Sequence, residues 1–152
     1  MTATVESDII DLVADLDPES LLALLRRQRP DALRHTEGSY QALLDPVDPG
    51  GVTVAERVAI ARRVAELNRD VALTGHYAAK AADEAEPGRL SVILSHVDLL
   101  TREPKAASPA DLDALRTAGL TDRDIVTVSQ LVAFINHQVR LLAGLRLLGA
   151  AP

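Results

Sequence analysis

Two polar clusters hold most of the residues of this chain that could do chemistry. Glu56, Asp70, His76 and Tyr77 fall within the stretch from Thr53 to Ala82, and Asn136, His137 and Arg140 fall together further on. Glu56 could serve as a general base, and His76 as an acid/base or proton relay, because imidazole titrates near neutrality. Tyr77 could donate a hydrogen bond to a substrate carbonyl or carboxylate, and Asp70 could pair with Arg69 or His76 in a cleft. Asn136 and Arg140 are four residues apart and share a helix face, so the guanidinium could clamp a carboxylate-bearing ligand. Each role has a plain structural alternative. Glu56 follows Thr53 at capping-box spacing, His76 also reads as a surface or interface histidine, Tyr77 as half-buried packing, and Asp70 as a solvated acid. The Asn136–Arg140 pair also reads as a polar network across helices or subunits, since polar groups in apolar surroundings need partners.

Other chemistries are excluded by residue type. The chain has no cysteine, which removes disulfides, thiolate nucleophiles, iron–sulfur ligation and thiol peroxidase chemistry. His35 and His96 are isolated, and the four histidines show no metal-ligand spacing such as His-Glu-x-x-His, so no metal site is expected. There is no glycine-rich phosphate loop and no Gly-x-Ser-x-Gly elbow, and no cofactor is expected. Net charge is −6, with only two lysines, Lys80 and Lys105, among dispersed arginines. Nucleic acid is therefore not an expected partner. The segment DLDALRTAGLTDRDIVTVSQLVAF has a helix-turn-helix outline, but its second helix opens on Asp122-Arg123-Asp124 and would repel DNA.

These residues must be positioned by helices. At 152 residues the chain is expected to form one domain, 1–152. Apolar residues make up 47% and aromatic residues 2%, namely Tyr40, Tyr77 and Phe134, so the core must be Leu, Val, Ile and Ala. No β-alternation persists, and the class expected is all-α, a multi-helix bundle. No apolar run approaches about 20 residues, so no membrane span is expected, and MTATVESDII lacks a basic leader, which makes the cytoplasm the expected location. Asp8 to Asp15 reads as a short amphipathic helix, and Asp17-Pro18-Glu19 as the start of the helix LLALLRRQR, which Pro30 stops. A short helix over 31–40 and a loop over QALLDPVDPGG follow, the latter a connector or a lid over a pocket. Thr53-Val-Ala-Glu56 opens a long helix with a break near Asn68–Arg69, after which Val71, Leu73, Ala78, Ala79 and Ala82 resume the apolar stripe. Pro87-Gly88 opens a helix whose apolar residues cover much of its circumference, which predicts burial. Ser108-Pro109 and Thr121-Asp-Arg-Asp124 start two more helices, with Gly119 between them and Gly149 at the end. Ile125, Val128, Leu131, Val132, Ile135, Val139, Leu142 and Leu145 form one stripe of the last. Phe134, Leu141, Leu147 and Leu148 exceed what that stripe needs and suggest a subunit interface.

Two segments carry a family likeness. ERVAIARRVAELNRDVALTGHYAAKA resembles the core of the alkylhydroperoxidase D-like, or carboxymuconolactone decarboxylase, superfamily. The downstream segment, with its AGLTD start and a long apolar helix bearing Asn136 and Arg140, resembles the C-terminal half of that superfamily's peroxidase-related branch. The likeness spans residues 53–149, and 1–50 read as an N-terminal helical extension. It implies the alkylhydroperoxidase D-like fold and a homo-oligomer. In the family's register Leu67-Asn68 fits, but Val58 stands at the catalytic Glu position, with Glu56 two residues earlier. Asp70 and Leu73 stand at the two cysteine positions, and Tyr77 at the usual His, with His76 beside it. A thiolate must attack the peroxide and a second thiol must resolve the product, and neither Asp nor Leu can do this.

The expected function is therefore a cysteine-less protein of this kind without thiol peroxidase activity, acting as a binding or assembly subunit beside a redox-active relative. The alternative is a non-redox enzyme of the carboxymuconolactone decarboxylase kind. It would use His76 and Tyr77 as acid–base groups and Arg140 to bind a small carboxylate, and it requires all three to face one pocket.

Overall fold

The computed structural model describes residues 8–81 and 85–150. Its elements are α1 (Ile9–Ala14), α2 (Leu21–Arg27), α3 (Pro30–Leu44), α4 (Val54–Leu67), α5 (Val71–Ala79), α6 (Pro87–Arg102), a 3-10 turn (Pro104–Ala106), α7 (Pro109–Thr117) and α8 (Asp122–Gly149). No strand occurs among the described residues, so the all-α bundle is what forms. Ala82, the last residue of the stretch that began at Thr53, lies outside the described residues.

Local chemistry sets most boundaries. Thr53–Glu56 and Thr121–Asp124 are both capping boxes, each hydroxyl taking an amide while the acid reaches back. Gly119 leaves α7 at φ 88, the left-handed region that a Cβ disfavours. Three expectations shift. α2 begins at Leu21 rather than Asp17, because the Ser20 hydroxyl accepts from the Ala23 amide while Asp17 turns to the Glu19 amide. Pro30 opens α3 rather than only closing α2, since its missing N–H is no loss in a first turn. α3 also runs on to Leu44 and absorbs the start of the expected loop, because Tyr40 and Leu44 lie one turn apart and are both buried.

The core lies where α4 meets α8. Ile60, Ala61, Val64 and Ala65 of α4 and Val128, Leu131, Ile135 and Leu142 of α8 are closed to solvent, with Leu73 and Tyr77 of α5 and Ile93 and Val97 of α6 around them. α6 is less buried than expected: only Ile93, His96 and Val97 are inside. α8 is 28 residues and, by length and composition alone, could cross a membrane. Here it packs against α1, α2, α3, α4, α6 and α7. Phe134 and Leu141 rest against the core, whereas Leu147 and Leu148 stay exposed.

The 45–53 segment is a fixed connector rather than a lid. Buried Arg57 donates to the carbonyls of Leu43 (2.8 Å), Pro49 (2.7 Å) and Val52 (2.9 Å). Asp124 accepts from the Gly51 amide at 3.0 Å, and a Cβ on Gly51 would come within 2.4 Å of its Oδ2. One charged group thus satisfies three acceptors that water cannot fully reach. Arg57→Ala is expected to cost about 3 kcal/mol or more in urea unfolding, against about 0.5 kcal/mol for Arg62→Ala, which removes only an exposed ion pair with Glu66.

Candidate functional site

The break after α4 is held by its own polar residues. Arg69 takes a left-handed conformation (φ 59) and Asp70 caps α5, its Oδ1 accepting from the Leu73 amide at 3.0 Å. Asp70 pairs with neither Arg69 nor His76. Its carboxylate receives Arg146 of α8 at 2.7 and 3.3 Å. Burial pushes this carboxyl up, but the Arg146 guanidinium and the amides of Leu73 and Ala72 outweigh it and hold it below its ordinary value. Asp70 is thus neither a solvated surface acid nor a cleft residue.

Asn136 is buried and its side chain is consumed locally. Its Nδ2 donates to the Val132 carbonyl at 2.9 Å, and its Oδ1 accepts from Asn68 Nδ2 at 3.1 Å. Arg140 lies exposed and donates to the backbone carbonyl of Asn136 at 3.0 Å. Asn136 alone makes the cross-helix contact, to Asn68, while the Arg140 guanidinium stays outside on its own helix, so the two side chains do not converge on one ligand. His137 is exposed beside them.

Glu56 completes the box with Thr53 and sits 3.0 Å from Arg89 Nε, with both oxygens engaged. Its carboxylate is thus committed to the helix cap and to Arg89. Tyr77 is fully buried rather than half-buried, and its hydroxyl donates to Gln138 Oε1 at 2.6 Å. Burial, with Tyr40 nearby, pushes the phenol far above its ordinary value, so it stays protonated.

His76 is half-buried, with Nε2 2.9 Å from the Tyr40 hydroxyl and its ring edge-on to Tyr77. Burial, then the charge of Lys80, lowers the imidazole below its usual 6.5, so it is neutral at pH 7. It opens onto a cavity of about 350 Å³ lined also by Asp8, Ile9, Leu12, Glu37, Tyr40 and Lys80. Tyr77 and Arg140 do not line that cavity. The three groups of the decarboxylase-like alternative are therefore not brought together. A second cavity, about 300 Å³, lies between α4 and α6 and is bordered by Val58, Leu90 and Leu94.

Sequence reasoning missed Tyr40, Arg57, Lys80, Gln138 and Arg146. Gln138 was detectable: it stands three residues after Ile135 and four before Leu142, a polar residue within the apolar stripe of α8. The others depend on contacts across 5 to 76 residues, which no helical spacing carries.

No protein-family model matches the chain, and no protein of curated function matches it. Four chains of solved structure are similar. One is an uncharacterized peroxidase-related protein from Silicibacter sp. TM1040, 22% identical over 76% of this chain and 68% of that chain, with a TM-score of 0.61. The likeness shows a common fold.

Two outcomes follow from the site's geometry. Because the Asp70 carboxyl is lowered in the folded chain, its stabilisation is present above the ordinary value of 3.8 and is lost as pH falls through the folded value. Asp70→Asn keeps a cap but removes the ion pair, and the exposed Arg146 limits the cost to about 1 kcal/mol at pH 7. The gap to the parent chain should narrow progressively in unfolding curves as the pH is taken below 3.8. Tyr77→Phe strands the Gln138 amide and should cost about 1–3 kcal/mol, whereas Tyr77→Phe with Gln138→Leu should recover much of it in a double-mutant cycle.

Proposed function

We propose that this chain is a cysteine-less protein of the alkylhydroperoxidase D-like superfamily that has no thiol peroxidase activity and works as a binding or assembly subunit. The observation that carries this reading is the fate of the reactive positions. On the family register, Leu73 is closed to solvent and Asp70 is tied to Arg146, so both sites have become parts of the helical framework. The shared fold with a peroxidase-related protein and the absence of cysteine support the same reading. Self-association fits the C-terminal end of α8, where Leu147 and Leu148 are 75% and 63% exposed. A redox-active relative is a fitting partner for a subunit that keeps the scaffold without the thiols.

The test is direct. Purified protein supplied with a hydroperoxide and any thiol reductant should show no turnover above the protein-free rate, and robust turnover overturns the reading. Light scattering should show a mass above that of the 16.2 kDa chain, and a clean monomer overturns the assembly part.

A further inference from the structure

The cavity beside His76 is built largely by the N-terminal helices. α1 contributes Asp8, Ile9 and Leu12, and α3 contributes Glu37 and Tyr40, while α5 supplies His76 and Lys80. Its charges are not equally occupied. Asp8 is paired with Arg26 at 2.7 Å, whereas Glu37 accepts a neutral donor, the Gln41 amide at 2.7 Å, and keeps its negative charge. The Lys80 ammonium lies 5.4 Å from the centre of the Tyr40 ring, and no carboxylate among the described residues forms an ion pair with it. The Tyr40 phenol is buried and bonded to His76 Nε2, which fixes the ring that the ammonium covers. The opposite wall is apolar, with Ile9 and a Leu12 that is 66% exposed.

We propose that this cleft between α1, α3 and α5 binds a small carboxylate with a short apolar tail, its anionic end at Lys80 and His76 and its tail against Ile9 and Leu12. A Lys80 ammonium that touches Tyr40 but forms no ion pair among the described residues, beside a polar, half-buried imidazole, can take an anion, and a carboxylate receives charge-assisted hydrogen bonds from such donors. The Tyr40 hydroxyl engages Nε2, and Nδ1 has no hydrogen-bond partner among the described residues. At about 350 Å³ the space is at the small end of ligand sites, enough for a chain of several carbons. The carboxylate expected at Arg140 is thereby assigned to a different site. The site deepens the binding reading above and rests on it only for its biological sense, since neither peroxide turnover nor oligomer mass enters its test.

Hexanoate, hexanamide and hexylamine can be titrated into the full chain by calorimetry, with the imidazole signals followed by NMR. Hexanoate should bind saturably and move one set of imidazole signals that His76→Gln removes. The amide and the amine should bind at least about tenfold more weakly. Lys80→Met, at the exposed end of α5, should lower hexanoate affinity about tenfold, Lys80→Arg should retain it, and His137→Gln should leave it unchanged. Equal affinity for all three compounds, tighter binding of the amine, no saturable binding, or an unaffected Lys80→Met protein overturns the proposal.

Discussion

A helix broken inside a core must have the freed ends of both halves satisfied, and this molecule meets that requirement by fastening the break to α8. After Leu67 the chain turns through Arg69 in a left-handed conformation. Asn68 returns its amide to the Val64 carbonyl and reaches Asn136, while Asp70 caps α5 and receives Arg146. The two fastenings lie ten residues apart on α8, so α4 and α5 are set against one rigid rod. The remaining helices take their places around that assembly.

The same residues leave the start of α5 without a reactive group. Here that start is occupied by a capping carboxylate with a guanidinium partner, and one turn on by a leucine that water does not reach. Asp70 is more valuable as a charge in a bond than as a free base, because the ion pair holds it ionised. Tyr77 follows the same logic: burial keeps its proton on, and Gln138 uses that proton structurally. Polar residues that look catalytic in a sequence are here the means by which an aliphatic core with three aromatics acquires specific partners.

The N-terminal helices change the outside of this arrangement. α1 is held to α2 by Arg26, which bridges Asp8 and Asp11. With α3 it builds two walls over the face of α5 that carries His76 and Lys80. The N-terminal helices thus turn an open helix face into a cleft. Arg57 stabilises the approach from the other side by immobilising the chain between α3 and α4.

The sequence by itself determined the all-α class, the breaks and the caps, because these depend on neighbours within about four residues: Thr53 with Glu56, Thr121 with Asp124, the Asn68–Arg69 interruption, Gly119 after α7. It also excluded thiol chemistry, which needs an atom the chain lacks. It placed α2 and α3 imperfectly, because two overlapping starts, Asp17 and Ser20, both obey local rules and only packing of the apolar face chooses between them. Tertiary structure alone decided the site. Whether Asn136 and Arg140 clamp a ligand depends on which way each turns from one helix, and whether His76 has a partner depends on a tyrosine 36 residues away. Such contacts form only when distant helices bury their apolar faces together, so their energy is written in the fold and not in any local spacing.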